Sequence, residues 1–259
     1  MSLTRYAPQI LDAFRLVVTR PAASAVIVVP GLALVAGANV LGAQGGNLAG
    51  LGMMLSMLAV TGMGFFWQRT LAEGETLTPI QMAPRLILWM VILQLLQGFE
   101  LAPTILFGLW LKDMPNAEIY TRTGIQVFQL LIGGLFLALP QLALGRWKDM
   151  AGTKLQEMVL SGGIAIGLGY VIVNLPFIMV TEVAKGLFAD FASDLNGTVV
   201  TMTLQVVHAL NMVVMAGYFA LVWAVLKDQP SRFDPPAETP VDPKERRTTR
   251  ITRTSKARK

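Results

Sequence analysis

Six long apolar runs dominate this chain. They lie at roughly 22 to 43, 47 to 67, 86 to 111, 125 to 145, 159 to 180 and 206 to 226. Each matches the ~20 residues of helix needed to cross a hydrocarbon layer. With 54% of its 259 residues apolar, 14% charged and a positive mean hydropathy, the chain has too little polar surface for a water-soluble domain of this size. The runs are rich in Leu, Met, Ala, Val and Gly and lack period-2 alternation, which predicts helices and not a lipid-facing barrel. The fold expected is all-α: a polytopic membrane bundle of six transmembrane helices with amphipathic interfacial helices. It divides into an N-terminal interfacial helix (1–21), the transmembrane domain (22–226) and a Pro-rich linker with a basic tail (227–259).

Three connecting segments have the spacing of helices lying on a membrane surface. In the first, Leu3, Ala7, Ile10, Leu11, Phe14, Val17 and Val18 fall on one side, opposite Arg5, Gln9 and Asp12;. Trp147, Ala151, Leu155 and Met158 repeat the pattern before the fifth span, and Val183, Leu187, Phe191 and Leu195 after it. The alternative is that these are frayed ends of the adjoining spans. The first 20 residues lack the basic region and short apolar core of a secretory signal, so the first span is expected in the mature protein. A weak parallel repeat is also visible, "FRLVVTRPAASAV" against "TKLQEMVLSGGIA";.

Lys and Arg set orientation, because basic loops stay on the cytoplasmic side. With the N-terminus inside, eighteen of the 21 basic residues fall inside, and only Lys112, Arg122 and Lys185 fall outside. The bias survives removal of the basic tail, and the expected location is the bacterial inner membrane with both termini cytoplasmic.

The order of features resembles a broad family of six-span bacterial membrane proteins, also found as the membrane-embedded portion of some glycerophosphodiester phosphodiesterases. The resembling stretches are "VVTRP", "FFWQRTLAEGETLTPIQM", "LFLALPQLALGRWKDMAGTKLQEMV" and "YFALVWAVLKD", which together extend over most of residues 5 to 228. They are patterns of residue classes and carry no catalytic signature. The resemblance implies the six-span fold and leaves activity open, since the phosphodiesterase domain itself has no counterpart here.

Glu100 stands out because a charge at its depth costs several kcal/mol. Counting from Arg85 at ~1.5 Å per residue puts it about 22 Å in. The same count puts Asn174 and Asn211 at similar depth, and Gln97 lies one turn before Glu100 with Gln94 further round the helix. Gln97, Glu100, Asn174 and Asn211 therefore form an expected intramembrane polar layer. In one reading Glu100 is protonated and hydrogen-bonded to Gln97, Asn174 or Asn211, contributing about 0.6 to 2 kcal/mol to helix association. In the other it belongs to a proton- or cation-coupled transport site. The first is favoured, because a transport path normally shows more than one ionisable group. Pro30, Pro103, Pro140 and Pro176 interrupt four spans, and Pro103 places a break beside Glu100;.

Other features weigh less. Gly46 with Gly50, and Gly163 with Gly167, are GxxxG pairs that allow close helix approach, within the chain or between chains. His208 is the single histidine, better read as a hydrogen-bonded helix-end residue than as a haem or pigment ligand. "NGT" at Asn196 has meaning only in a pathway that glycosylates it. Without cysteine, thiolate chemistry and Cys-ligated metals are excluded. There is no phosphate-binding glycine loop, no HExxH and no paired carboxylate in a polar setting, so the chain reads as non-enzymatic and no cofactor or metal is expected.

The segment "KERRTTRITRTSKARK" carries Arg246, Arg247, Arg250, Arg253, Lys256, Arg258 and Lys259. Tethered at the inner surface, it is expected to meet anionic lipid headgroups or an acidic protein. Nucleic acid is disfavoured, because no aromatic residue interleaves the charges to stack on bases. The bland alternative is a solvated topology anchor. The function these features favour is an accessory or scaffold subunit that binds lipids or other membrane-protein subunits; a small transporter built on the Glu100 layer is the alternative.

Overall fold

A computed structural model describes residues 6–111, 114–145, 153–188 and 195–227. Its described residues are almost entirely helical and contain no strand. Six helical segments, Pro21–Ala43, Gly46–Leu71, Pro79–Trp110, Ile119–Leu144, Gly163–Ala184 and Met202–Lys227, are long and apolar enough to cross a membrane. The chain is thus an all-α polytopic membrane bundle, as its hydropathy predicts.

Helix α1 (Ala7–Thr19) and helix α2 (Pro21–Ala43) are separated at Arg20, whose backbone is non-helical. Pro21 is favourable there, because the first residue of a helix needs no N–H. A turn through Gly45 and Gly46, at φ 75° and 56°, reverses the chain into α3 (Gly46–Leu71). Side chains rarely tolerate this left-handed backbone, and glycine adopts it without a steric cost. Helix α4 (Pro79–Glu100) opens with Pro79 and with the Gln81 side chain accepting the Thr78 N–H at 3.0 Å, a start signal that lengthens the third span beyond its apolar run.

Two spans are interrupted, and a third helix turns where its span begins. α4 gives way at Leu101 to α5 (Ala102–Trp110), with Pro103 as its second residue. α6 (Ala117–Ile132) tightens into a 3-10 segment, Gly133–Leu137, before α7 (Ala138–Leu144). α8 (Thr153–Phe188) turns at Gly163, where φ is 41° and ψ −132°. Pro30 and Pro176, by contrast, lie inside continuous helices.

Helix α9 (Leu195–Lys227) forms the axis of the bundle, packing against α1, α3, α7 and α8. It is the most enclosed span, and α2 is the least. Ala209, Ala216 and Ala220 let neighbours approach it, while Phe219 stacks on Phe136 at 5.3 Å and meets Tyr170 at 5.4 Å. α1 also uses this axis. Tyr6, Ile10 and Ala13 are buried and Phe14 stacks on Phe177 at 6.0 Å, while Leu11 and Val18 stay exposed. Its apolar stripe is therefore shared between the bundle and the outside.

Candidate functional site

Glu100 is the last residue of α4, and only 8% of its surface is exposed. Gln129 on α6 and Tyr170 on α8 stand beside its carboxyl, and Asn174, one turn beyond Tyr170, stands beside the phenol. Spans three, four and five thus meet at one carboxyl. These partners are all uncharged. Glu100 Oε1 and Gln129 Oε1 are buried without a hydrogen-bond partner among the described residues, so the centre retains acceptor capacity. The break at Leu101 is what turns the chain here, because Pro103 cannot supply the N–H that an unbroken helix would use.

Of the four residues expected in one polar layer, Glu100 and Asn174 belong to this centre, linked through Tyr170. Gln97 instead meets Gln94 at 3.4 Å. Asn211, with its Oδ1 unpartnered, lines a cleft of about 240 Å³ between α8 and α9 with Thr181, Glu182 and His208. Glu182 pairs with Arg122 at 3.2 Å at that end of the bundle. Gln129 and Tyr170 were not legible from sequence depth alone. The signals that could have found them are an amide in an otherwise apolar run, "VFQLLIGG", and a tyrosine four residues before Asn174.

Three side-chain ties lock the bundle elsewhere. Trp89 Nε1 donates to Gln68 Oε1 at 2.9 Å, and Gln68 Nε2 donates to the Ala216 carbonyl at 3.3 Å, which joins α4, α3 and α9. Trp223 Nε1 donates to Gln141 Oε1 at 2.7 Å, joining α9 to α7. Asn39 and Gln205 exchange amide hydrogen bonds between α2 and α9. In hydrocarbon each such bond replaces an otherwise unsatisfied polar group.

At the end opposite Glu182, basic side chains cap broken chain ends. Arg85 is buried, pairs with Glu75 and donates to the Gly145 carbonyl at 2.7 Å. Arg69 donates to the carbonyls of Ala143 and Glu75, and Arg20 to that of Thr70 at 3.2 Å. Cations suit this place, because the last carbonyls of a helix lack intrahelical partners.

The four glycines of the GxxxG pairs diverge. A Cβ on Gly167 would lie 2.1 Å from the Leu130 carbonyl oxygen, so this glycine permits α6 and α8 to touch. Gly163 serves the turn in α8 and Gly46 the turn before α3. A Cβ on Gly50 or Gly37 would meet open space, whereas Gly42 backs onto Gly52, whose Cβ would lie 2.8 Å from the Gly42 nitrogen. The basic residues Arg246, Arg247, Arg250, Arg253, Lys256, Arg258 and Lys259 lie outside the described residues, as do Trp147, Ala151 and Phe191.

Comparison with family models, curated proteins and solved structures finds no match to this chain.

Proposed function

We propose that this multi-pass membrane protein is a non-enzymatic accessory or scaffold subunit, which binds other membrane proteins or lipids. The observation that carries the reading is Gly50. Neither backbone conformation nor packing within the chain requires a glycine there, and its exposed position near the tip of the α2–α3 hairpin is free for close approach by another helix;. The buried polar groups, in contrast, are directed inward and hold spans together.

The chain is placed in a bacterial inner membrane with both termini in the cytoplasm. Support comes from the basic bias and from Arg20, Arg69 and Arg85 gathering at one end of the spans;. The resemblance to the six-span bacterial family agrees with that placement. The tail from Lys244 to Lys259 adds an attraction to anionic headgroups;.

A chain without cysteine makes the test simple. Gly50→Cys, treated with a short bifunctional thiol reagent in native membranes, is expected to give a discrete cross-linked species, and a cysteine at the enclosed Ala209 is expected to give none. Monomer alone at Gly50, in membranes where the protein is folded, overturns the scaffold reading. A second reading, a small proton- or cation-coupled transporter, is favoured by one observation, the unpartnered oxygens of Glu100 and Gln129 beside a broken helix;.

A further inference from the structure

Beside the arginine cluster lies a cleft of about 390 Å³, lined chiefly by polar atoms from Arg20, Arg69, Thr70 and the segment Ala72–Thr76, with Leu144 at its back. Its walls are the start of α2, the end of α3 and the end of α7. Span ends lie at headgroup depth in a bilayer, so the neighbour of this cleft is a phospholipid headgroup.

The charges select among headgroups. A guanidinium has five N–H donors; Arg20 uses one on Thr70 and Arg69 uses two on Ala143 and Glu75. Both retain donors for a phosphate. Glu75 is already neutralised by the buried Arg85, which leaves Glu73 as the one lining carboxylate without a hydrogen bond or ion pair among the described residues. Two arginines and one free carboxylate lining the same small cleft match a group that carries a phosphate and, a few bonds away, an ammonium with N–H donors. A purely anionic headgroup leaves Glu73 unanswered, and a trimethylated amine offers it no hydrogen bond.

We propose that this cleft binds a zwitterionic phospholipid with a primary amine, its phosphodiester on Arg20 and Arg69 and its ammonium on Glu73. The bound lipid adds a bridge between the ends of α2, α3 and α7, beside the arginine to carbonyl contacts and the Glu75 N–H to Leu144 carbonyl bond already there.

The test uses the full-length protein in mild detergent, supplied with equal amounts of phosphatidylethanolamine, phosphatidylcholine and phosphatidylglycerol, with retained lipid counted by native mass spectrometry. The expected result is retention of one ethanolamine lipid roughly fivefold above either competitor, the scale of one interfacial charge pair. Glu73→Gln, at an exposed position whose folding is checked by thermal unfolding, is expected to abolish that preference, and Arg20→Gln to reduce retention of phospholipids of every headgroup. Equal retention of the three lipids, or an unchanged preference in Glu73→Gln, overturns the proposal. So does binding of O-phosphoethanolamine as tight as that of the intact lipid, which would identify a soluble ligand as the occupant.

Discussion

Gln68 accepts the indole N–H of Trp89 with its oxygen and gives its own amide N–H to the Ala216 carbonyl. One fully buried side chain thereby ties α3 to α4 and to the central helix. Replacing it with Leu leaves the Trp89 N–H without its acceptor and the Ala216 carbonyl without this donor. The expected loss is about 1 to 2 kcal/mol, the upper part of the range for interhelical bonds in membranes. In the double variant Gln68→Leu, Trp89→Phe the loss is expected to be less than the sum of the singles, because the stranded donor is gone. Reversible unfolding in mixed micelles reads both.

The glycines separate internal from external packing. Gly167→Ala puts a methyl group against the Leu130 backbone, where neither partner is a flexible side chain. It is expected to lower thermal stability by about 1 to 3 kcal/mol, as overpacking does. Gly50→Ala meets open space and is expected to preserve stability, while a bulkier Gly50→Leu is expected to weaken co-purification of partners. Equal destabilisation at both positions contradicts the distinction.

Topology follows from the basic residues. Reporter fusions after residues 44, 116 and 196 are expected on the outer side, and fusions after 76, 152 and 235 on the cytoplasmic side. The antiparallel return of α2 into α3 and the shared end of Arg20, Arg69 and Arg85 require that 44 and 76 report opposite sides. Reversed signals at two or more sites would end the placement.

For the tail, a peptide of residues 244 to 259 is expected to bind vesicles containing anionic lipid, to ignore neutral vesicles, and to dissociate as salt rises, because exposed charges are screened over about 10 Å at 0.1 M ionic strength. Binding that is indifferent to lipid charge contradicts a headgroup role.

Hydropathy and length made all six spans legible, since an apolar run of that length has few other places to go. Exact ends were less so: Pro79 and the Thr78–Gln81 cap carry α4 through polar residues that hydropathy ignores. Pro103 correctly marked the weak point beside Glu100, because a missing N–H is a local property. The partners of Glu100 were not local. Depth along a helix is readable from residue number, but which helices are neighbours depends on the close contact of Gly133 with Gly167 and on the placement of α9. Depth alone therefore grouped Asn211 and Gln97 with Glu100 and missed Gln129 and Tyr170. The amphipathic stripe of α1 was visible too, yet a stripe has the same spacing whether it faces lipid or protein, and Ile10 and Ala13 chose protein.

Glu100 lies buried between spans three, four and five, and its carboxyl is expected to be uncharged there, because desolvation disfavours the charged form. Gln129 and Tyr170 offer it dipoles and no counter-charge, and Asn174 stands behind Tyr170. Glu100→Gln is then expected to keep stability and assembly nearly unchanged, and Glu100→Leu to lower stability by about 1 to 2 kcal/mol. Infrared difference spectroscopy of the carboxyl C=O stretch across a pH titration tests this most directly. The account predicts a protonated-carboxyl band at pH 7 that is missing in Glu100→Gln. A band absent at pH 7 and appearing only on acidification would mean a resting carboxylate, contradicting the scaffold account and putting the transporter first.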